Sequence, residues 1–120
     1  MVRSELLGEE GILLVTPDGP LEAADFERLT KEVEPFIAAN GRLSGLLINA
    51  EFFPGWDSFG ALLSHLRFVA DHHRKIARIA VVTDSALLKV MPQIAEHFVQ
   101  AEIKQFRSGE QDQALAWLAD

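Results

Sequence analysis

Apolar positions change their spacing several times along the 120-residue chain, and each change marks a predicted element. Two short runs, Ser4–Leu7 and Ile12–Thr16, predict an amino-terminal β-hairpin with residues 8–11 as its turn. One apolar residue in every three or four, from Ala23 to Ile37, then predicts a first helix, with Asn40-Gly41 as its C-terminal stop signal. Pro35 interrupts this repeat, so we expect a kink or a break, because proline lacks a backbone N–H and crowds the preceding turn.

The middle of the chain alternates between strand and helix patterns. Leu43–Ala50 and Ile76–Val82 are short and almost wholly apolar, which is typical of strands that are buried on both faces. Between them, an apolar stripe with helical spacing predicts a second helix. Asp57 or Ser58 is its expected N-cap, because each side chain can accept a hydrogen bond from a free backbone N–H.

The last third of the chain predicts a third helix, an edge strand and a closing helix. Ser85–Gln100 has a helical period, and Pro92 inside it predicts a kink or a division into two short helices. Glu102–Phe106 alternates as a half-exposed edge strand would. Ser108 and Gln111 fit a capping box. The helix that follows is expected to bury Ala114, Leu115, Trp117 and Leu118.

The predicted order of elements is β-β-α-β-α-β-α-β-α. Strands that alternate with helices imply parallel crossovers and a sheet covered by helices. We therefore predict an α/β fold with a mostly parallel five-stranded sheet, an N-terminal β-hairpin and four helices. No repeat or linker divides the sequence, so residues 1–120 are expected to form a single domain.

Charge and composition narrow the range of partners. The formal net charge is −7. Nucleic acids and anionic membranes favour lysine and arginine, so we expect no nucleic-acid partner and at most peripheral membrane contact. The chain has no cysteine, which excludes disulfides and thiolate chemistry. With no apolar leader either, the sequence fits a cytoplasmic protein.

An aromatic loop is the most distinctive feature of the sequence. Phe52, Phe53, Trp56 and Phe59 surround a Pro-Gly turn between a predicted strand and a predicted helix. One interpretation is that the rings close the end of the core, because large aromatic side chains are usually buried. The other is that they line an apolar ligand-binding slot between the second and third helices. The third helix would contribute Leu87, Leu88 and Met91 to that slot.

Two carboxylates accompany this loop. Glu51 and Asp84 each follow a buried strand, so both are expected at the carboxyl edge of the sheet, where ligands of open α/β sheets gather. Together they could bind a ligand hydroxyl or a cation. The alternatives are a turn carboxylate for Glu51 and a helix cap for Asp84.

No pattern in the sequence is typical of an enzyme or of a cofactor-binding protein. It has no nucleophile elbow, phosphate-binding loop or dinucleotide fingerprint. His65 and His72 are seven residues apart, whereas a metal-binding pair on a helix needs a spacing of three or four. We expect no catalytic residues, no metal and no cofactor, and we interpret these histidines and His73 as a solvated helix end.

Four short motifs, taken in order, resemble the SpoIIAA-like family, a branch of the STAS superfold that is also described as SEC14-like. They are Gly19 and Leu21 with Asp25-Phe26, then Phe53-Pro54-Gly55-Trp56, then the strand from Ile76 to Asp84, and finally Ala114 to Leu118. The resemblance covers nearly the whole chain and implies a STAS-like sheet. The similarity in fold to lipid-carrying SEC14-like proteins supports an apolar ligand by analogy.

Regulatory STAS proteins carry a D-S-S-G turn whose second serine is phosphorylated, and the resemblance places Asp57-Ser58-Phe59-Gly60 at that turn. Phe59 replaces the serine that would accept the phosphate. Ser58 is the one hydroxyl that remains, so it is the candidate phosphorylation site and equally a candidate helix cap.

The sequence therefore predicts a non-enzymatic binding or regulatory module. Its ligand would be a small apolar, lipid-like molecule or a membrane surface, bound between the second and third helices. The alternative is a protein–protein regulatory module of the anti-sigma-factor-antagonist type without the usual phosphoserine. A homodimer formed through an exposed aromatic patch is a further alternative.

Overall fold

A computed structural model describes residues 1–41, 43–71, 76–99 and 101–120. Five strands form one sheet in the same order as in the chain, with β1 antiparallel to β2 and all other neighbours parallel. The strands are β1 (Val2–Leu7), β2 (Ile12–Pro17), β3 (Gly45–Asn49), β4 (Arg78–Val82) and β5 (Glu102–Phe106). The predicted α/β fold, hairpin and edge strand are confirmed.

Four α-helices and one 3₁₀ turn complete the fold. They are α1 (Ala23–Asn40), α2 (Trp56–Asp71), the 3₁₀ turn (Ser85–Leu87), α3 (Val90–His97) and α4 (Gln111–Ala119). The helices α1, α2 and α3 each connect neighbouring parallel strands. Because such crossovers are right-handed, these three helices cover one face of the sheet, and α4 covers the other.

Two apolar cores lie on opposite faces of the sheet. In β3, Leu46 and Ile48 join the larger core under α1, α2 and α3, whereas Leu47 joins the smaller core under α4. All three side chains are fully buried. This alternation explains why the strand is apolar at nearly every position, because a strand covered on both faces has no solvated side.

Of the two expectations for Pro35, the break is wrong, since α1 continues through it to Asn40, and the kink stays a prediction. Pro35 lies on the exposed face of the helix, between the buried residues Val33 and Ile37. The missing N–H leaves the carbonyl of Lys31 without its helical partner, and water can bond to that carbonyl on the exposed face. The buried face keeps its packing, which holds the helix together.

The predicted third helix is divided into two short helical pieces, which was one of the two alternatives predicted from Pro92. The division lies before Pro92, at Leu88 and Lys89, between the 3₁₀ turn and α3. Pro92 falls in the first turn of α3, where a backbone N–H has no helical partner, so proline is tolerated there. Gln100, the predicted end of this segment, lies outside the described residues.

The predicted caps of α2 and α4 are wrong. Helix α2 begins at Trp56, so Asp57 and Ser58 lie inside its first turn, and the Phe59 N–H bonds to the carbonyl of Gly55. Helix α4 begins at Gln111 with Glu110 as its N-cap, two residues after Ser108, so Ser108 does not cap it.

The last helix also buries fewer residues than predicted. Ala114 and Leu118 are buried, whereas Leu115 and Trp117 are only partly buried. Trp117 lies at the rim of the smaller core, and the guanidinium of Arg78 covers its ring at 5.2 Å from the ring centroid. A cation over an indole face is a stable arrangement at a surface, so the ring does not need full burial.

Candidate functional site

The carboxyl ends of β3 and β4 meet at one edge of the sheet. Asn49 pairs in register with Val82, and the Ala50 N–H donates to the Val82 carbonyl over 2.8 Å. Glu51 follows Ala50 directly, and Asp84 follows Val82 after one intervening residue, Thr83. Both carboxylates are exposed at this edge, as the strand pattern predicted.

These two acidic residues have different local roles. The Asp84 carboxylate accepts a hydrogen bond from the Ala86 N–H at 3.0 Å and so caps the 3₁₀ turn. The Glu51 backbone N–H donates to the Asn49 side-chain oxygen at 3.0 Å, which orders the start of the loop. The cap role of Asp84 is therefore present, and a ligand role for either carboxylate stays a prediction.

The four aromatic rings of the loop divide between core and surface. Phe59 is 0% exposed and lies in the larger core. Phe53 is partly buried, with its ring centroid 5.6 Å from that of Phe59 and 4.8 Å from that of Trp56. Phe52 and Trp56 remain 47% and 49% exposed. The core interpretation thus holds for Phe59 and in part for Phe53, and a ligand-binding slot lined by the outer rings stays a prediction.

Gly55 sets the direction of this loop. Its φ of 98° lies in the left-handed region, which a residue with a Cβ rarely adopts. The chain turns there and enters α2 at Trp56, while Phe53 packs back onto Phe59 in the first turn of the helix. This resembles a hydrophobic staple, in which a residue before a helix packs on its first turn and fixes the angle of entry.

The helices α2 and α3 run parallel to each other and are in contact. A Cβ atom on Gly60 would lie 3.0 Å from the Gln93 side-chain nitrogen. One helical turn later, the Ser64 hydroxyl lies 3.3 Å from Nε2 of His97. The start of α2 therefore lies beside the start of α3, at the carboxyl edge of the sheet.

Three exposed apolar side chains share this edge, and we call them the edge patch: Phe52, Trp56 and Leu88. Leu88 is 44% exposed. Leu87 and Met91 are partly buried beside it, and Met91 packs against the larger core. The predicted apolar residues thus follow the carboxyl ends of the neighbouring strands β3 and β4, and their grouping as one ligand site stays a prediction.

His65 has a role that sequence reasoning missed. Its Nε2 atom lies 2.6 Å from the Thr30 hydroxyl, and its ring centroid lies 5.2 Å from that of Phe26. Burial lowers the pKa of His65, although a backbone hydrogen bond at Phe26 and the charge of Glu34 oppose that shift. His65 thus joins α1 to α2 and is not part of a solvated end. His72 and His73 lie outside the described residues.

Asp25 is a buried acid within the acidic first third of the chain. It is 6% exposed, and its carboxylate accepts hydrogen bonds from the backbone N–H groups of Glu22 at 2.9 Å and Val2 at 3.4 Å. Arg28 pairs with it at 3.2 Å. The hydrogen bond from Glu22 is the largest cause that lowers the pKa of Asp25, and burial opposes it. This carboxylate holds the start of β1 against α1.

Among the described residues, no group of three or more histidine, aspartate or glutamate side chains is arranged to hold a metal ion. None of the described helices is both long enough and apolar enough to cross a membrane.

The sequence matches a family model described as SpoIIAA-like over residues 12–119, nearly its whole length. The chain belongs to the SpoIIAA-like family. SpoIIAA-like domains are generally non-enzymatic regulatory domains of the STAS type, and STAS-type domains commonly interact with proteins. Neither the curated proteins nor the solved structures gave a match to this SpoIIAA-like chain.

The family assignment makes the position of Phe59 informative. Phenylalanine has no hydroxyl that could accept a phosphate, and the Phe59 ring is fully buried in the larger core. Ser58 is partly buried in the first turn of α2 and remains the one hydroxyl of that turn. A phosphorylation role for Ser58 stays a prediction.

Proposed function

We propose that this SpoIIAA-like domain is a regulatory module that binds a partner protein on the edge patch. The observation that carries the proposal is the exposure of about half of Phe52 and Trp56, beside rings that are buried. Large aromatic side chains are the residues that contribute most to protein interfaces, especially when they cluster. We also propose a cytoplasmic location, which the cysteine-free composition supports.

The edge patch rests on a rigid support. Phe53 contacts both Trp56 and the fully buried Phe59, so the exposed indole is linked to the core through two ring contacts. A side chain that is already ordered loses less conformational entropy when a partner binds. This favours docking of a partner on the surface over a flexible loop that folds around a small molecule.

A small apolar molecule is a second candidate ligand, and it would bind between α2 and α3. The side-chain oxygen of Gln93 is buried in this contact without a hydrogen-bond partner. An unsatisfied buried oxygen is costly, so the contact at Gly60 and Gln93 is a place where the two helices could separate. Glu51 and Asp84, at the rim, would then contact the polar end of a lipid-like ligand.

Site-specific photo-crosslinking tests the proposed function. A photoreactive phenylalanine analogue replaces Phe52 in the full chain, and the same analogue replaces Val99, an apolar residue that is 78% exposed elsewhere. We expect a crosslinked protein at position 52 that is absent at position 99. Trp56→Ala should abolish that crosslink, because truncating a central interface aromatic weakens binding by roughly 30-fold or more.

The two candidate ligands give different results. Native mass spectrometry of the purified protein, followed by lipid extraction, detects a bound acyl species directly. A bound lipid that is lost from Trp56→Ala protein, with no crosslink at position 52, would replace the protein-partner proposal with the lipid one. Crosslinks of equal yield at positions 52 and 99 would contradict a specific surface at the edge patch.

A further inference from the structure

Each apolar side chain of the edge patch has an exposed carboxylate nearby in the sequence. Glu51 precedes Phe52, Asp57 follows Trp56, and Asp84 lies four residues before Leu88. Glu51 and Asp84 follow the paired ends of β3 and β4, so they lie at the same edge of the sheet. Each of the three residues of the edge patch thus has an exposed carboxylate within four positions of it in the sequence.

Three features offset part of this negative charge. Lys89 is exposed in the turn before α3. The amino terminus of α2 carries a partial positive charge of about half an elementary charge, and Asp57 lies in its first turn. Arg107 is also exposed and follows β5 at the same edge of the sheet, so three carboxylates face two cationic side chains, and Glu51 lies outside any helix. The rim of the edge patch thus remains negative.

We propose that the partner docks through a cationic amphipathic segment, in which apolar side chains are flanked by lysine or arginine. This inference rests on the proposed function and names the chemistry of its partner. The apolar side chains would cover Phe52, Trp56 and Leu88, while the basic groups would face Glu51, Asp57 and Asp84. The same carboxylates repel the surface of an anionic membrane, which disfavours lipid headgroups as the partner.

A pair of synthetic helical peptides tests this inference. Both peptides carry the same apolar face, which is made of leucine and contains no tryptophan. One peptide has lysine at every flanking position, and its twin has glutamate there. The full-length protein carries Trp117→Phe, so that the fluorescence of Trp56 alone reports binding. We expect saturable binding of the lysine peptide, binding at least tenfold weaker for the glutamate twin, and a marked loss of affinity between 50 mM and 500 mM salt.

Matched variants identify the carboxylates responsible. Glu51→Gln should weaken binding of the lysine peptide by about two- to fivefold, the usual size of an exposed charge pair. Glu9→Gln is the control, because Glu9 is equally exposed but lies in the β1–β2 turn, at the opposite edge of the sheet. Equal effects of these two variants would overturn the inference, because only general attraction by the net charge would remain.

The remaining outcomes separate the inference from the proposed function. In one outcome, both peptides bind equally, and calorimetry shows that Trp56→Ala protein binds neither. The edge patch then binds apolar surfaces, and the cationic inference fails. If neither peptide changes the fluorescence at millimolar concentration, the cationic inference fails, and the crosslink at position 52 still tests the proposed function. Binding to vesicles of phosphatidylglycerol in preference to both peptides would overturn the inference in favour of a membrane surface.

Discussion

Thr30 of α1 and His65 of α2 form a 2.6 Å hydrogen bond that joins the two helices across 35 positions of sequence. Because burial lowers the pKa of His65, the folded protein holds this imidazole neutral at a pH where the unfolded chain has begun to bind a proton. The unfolded state then binds more protons than the folded state, so the free energy of unfolding falls as the pH decreases.

We therefore predict a loss of stability as the pH falls from about 7.5 through the ordinary histidine pKa of about 6.5 and down to the folded pKa of His65. His65→Gln keeps a hydrogen-bonding side chain next to Thr30 but does not titrate, so its stability should depend less on pH over this range. Urea denaturation at pH 7.5, 6.5 and 5.5 measures the difference. Parallel profiles for the two proteins would contradict a buried neutral imidazole.

The carboxylate of Asp25 should make the folded state sensitive to acid. Its pKa is lowered on folding, so its contribution to stability is present above the ordinary aspartate pKa of about 3.9 and is lost as the pH falls through the lower folded value. Asp25→Asn should cost about 1–3 kcal/mol at neutral pH, because buried N–H groups of the backbone lose a charged acceptor.

Asp18→Asn provides the matched control for Asp25. Asp18 pairs with Arg3 at 2.9 Å, but that ion pair lies at the surface. Exposed pairs of this kind contribute about 0–1 kcal/mol, so the control should change the urea midpoint only slightly. An equal loss in both variants would show that the buried hydrogen bonds of Asp25 add nothing beyond its charge.

The inner and outer rings of the aromatic loop should respond differently to truncation. Phe59→Ala removes a fully buried ring and should destabilise the protein by about 3–5 kcal/mol. Phe52→Ala removes a ring that is half exposed and should cost about 1 kcal/mol or less. Thermal or urea denaturation separates these values, and similar losses would mean that Phe52 is buried in solution.

Gly60 and Gln93 offer a test of the contact between α2 and α3. Replacing a glycine inside a helix with alanine stabilises the helix by up to about 1 kcal/mol, but here the new methyl group would lie 3.0 Å from the Gln93 amide. We expect Gly60→Ala to give a clear gain in a Gln93→Ala background and a smaller gain, or a loss, alone. An equal gain in both backgrounds would show that the helices do not meet at this point.

The sequence was sufficient for the architecture because each strand and helix has a strong period of its own. The alternation of polar and apolar residues predicts β5 directly. The unbroken apolar run of β3 predicts that this strand is buried on both faces. Helix ends were predicted less well. Asp57, Ser58 and Ser108 all have side chains that can cap a helix, but the presence of such a side chain does not fix the residue at which the helix begins. Pro35 shows that a breaker can be tolerated when it lies on the exposed face of a long helix.

The candidate site was predictable in composition but not in exposure. Strand ends placed Glu51, Asp84 and the aromatic loop at one edge, since parallel strands share their carboxyl ends. Which rings are buried depends on the backbone direction at Gly55, and no pattern of apolar residues encodes that angle. The pairing of Thr30 with His65 depends on how two helices pack side by side, so spacing within one helix could not reveal it.

The strands of the sheet lie side by side in the order in which they are synthesised. Each new strand can therefore be added to the one made just before it while the rest of the chain is still on the ribosome, beginning from the hairpin. The face formed by Leu47, Ala80 and Val82 stays open until α4, which follows all five strands in the sequence, packs across β3 and β4. Emergence of α4 is thus the step that seals the second face of the sheet against aggregation.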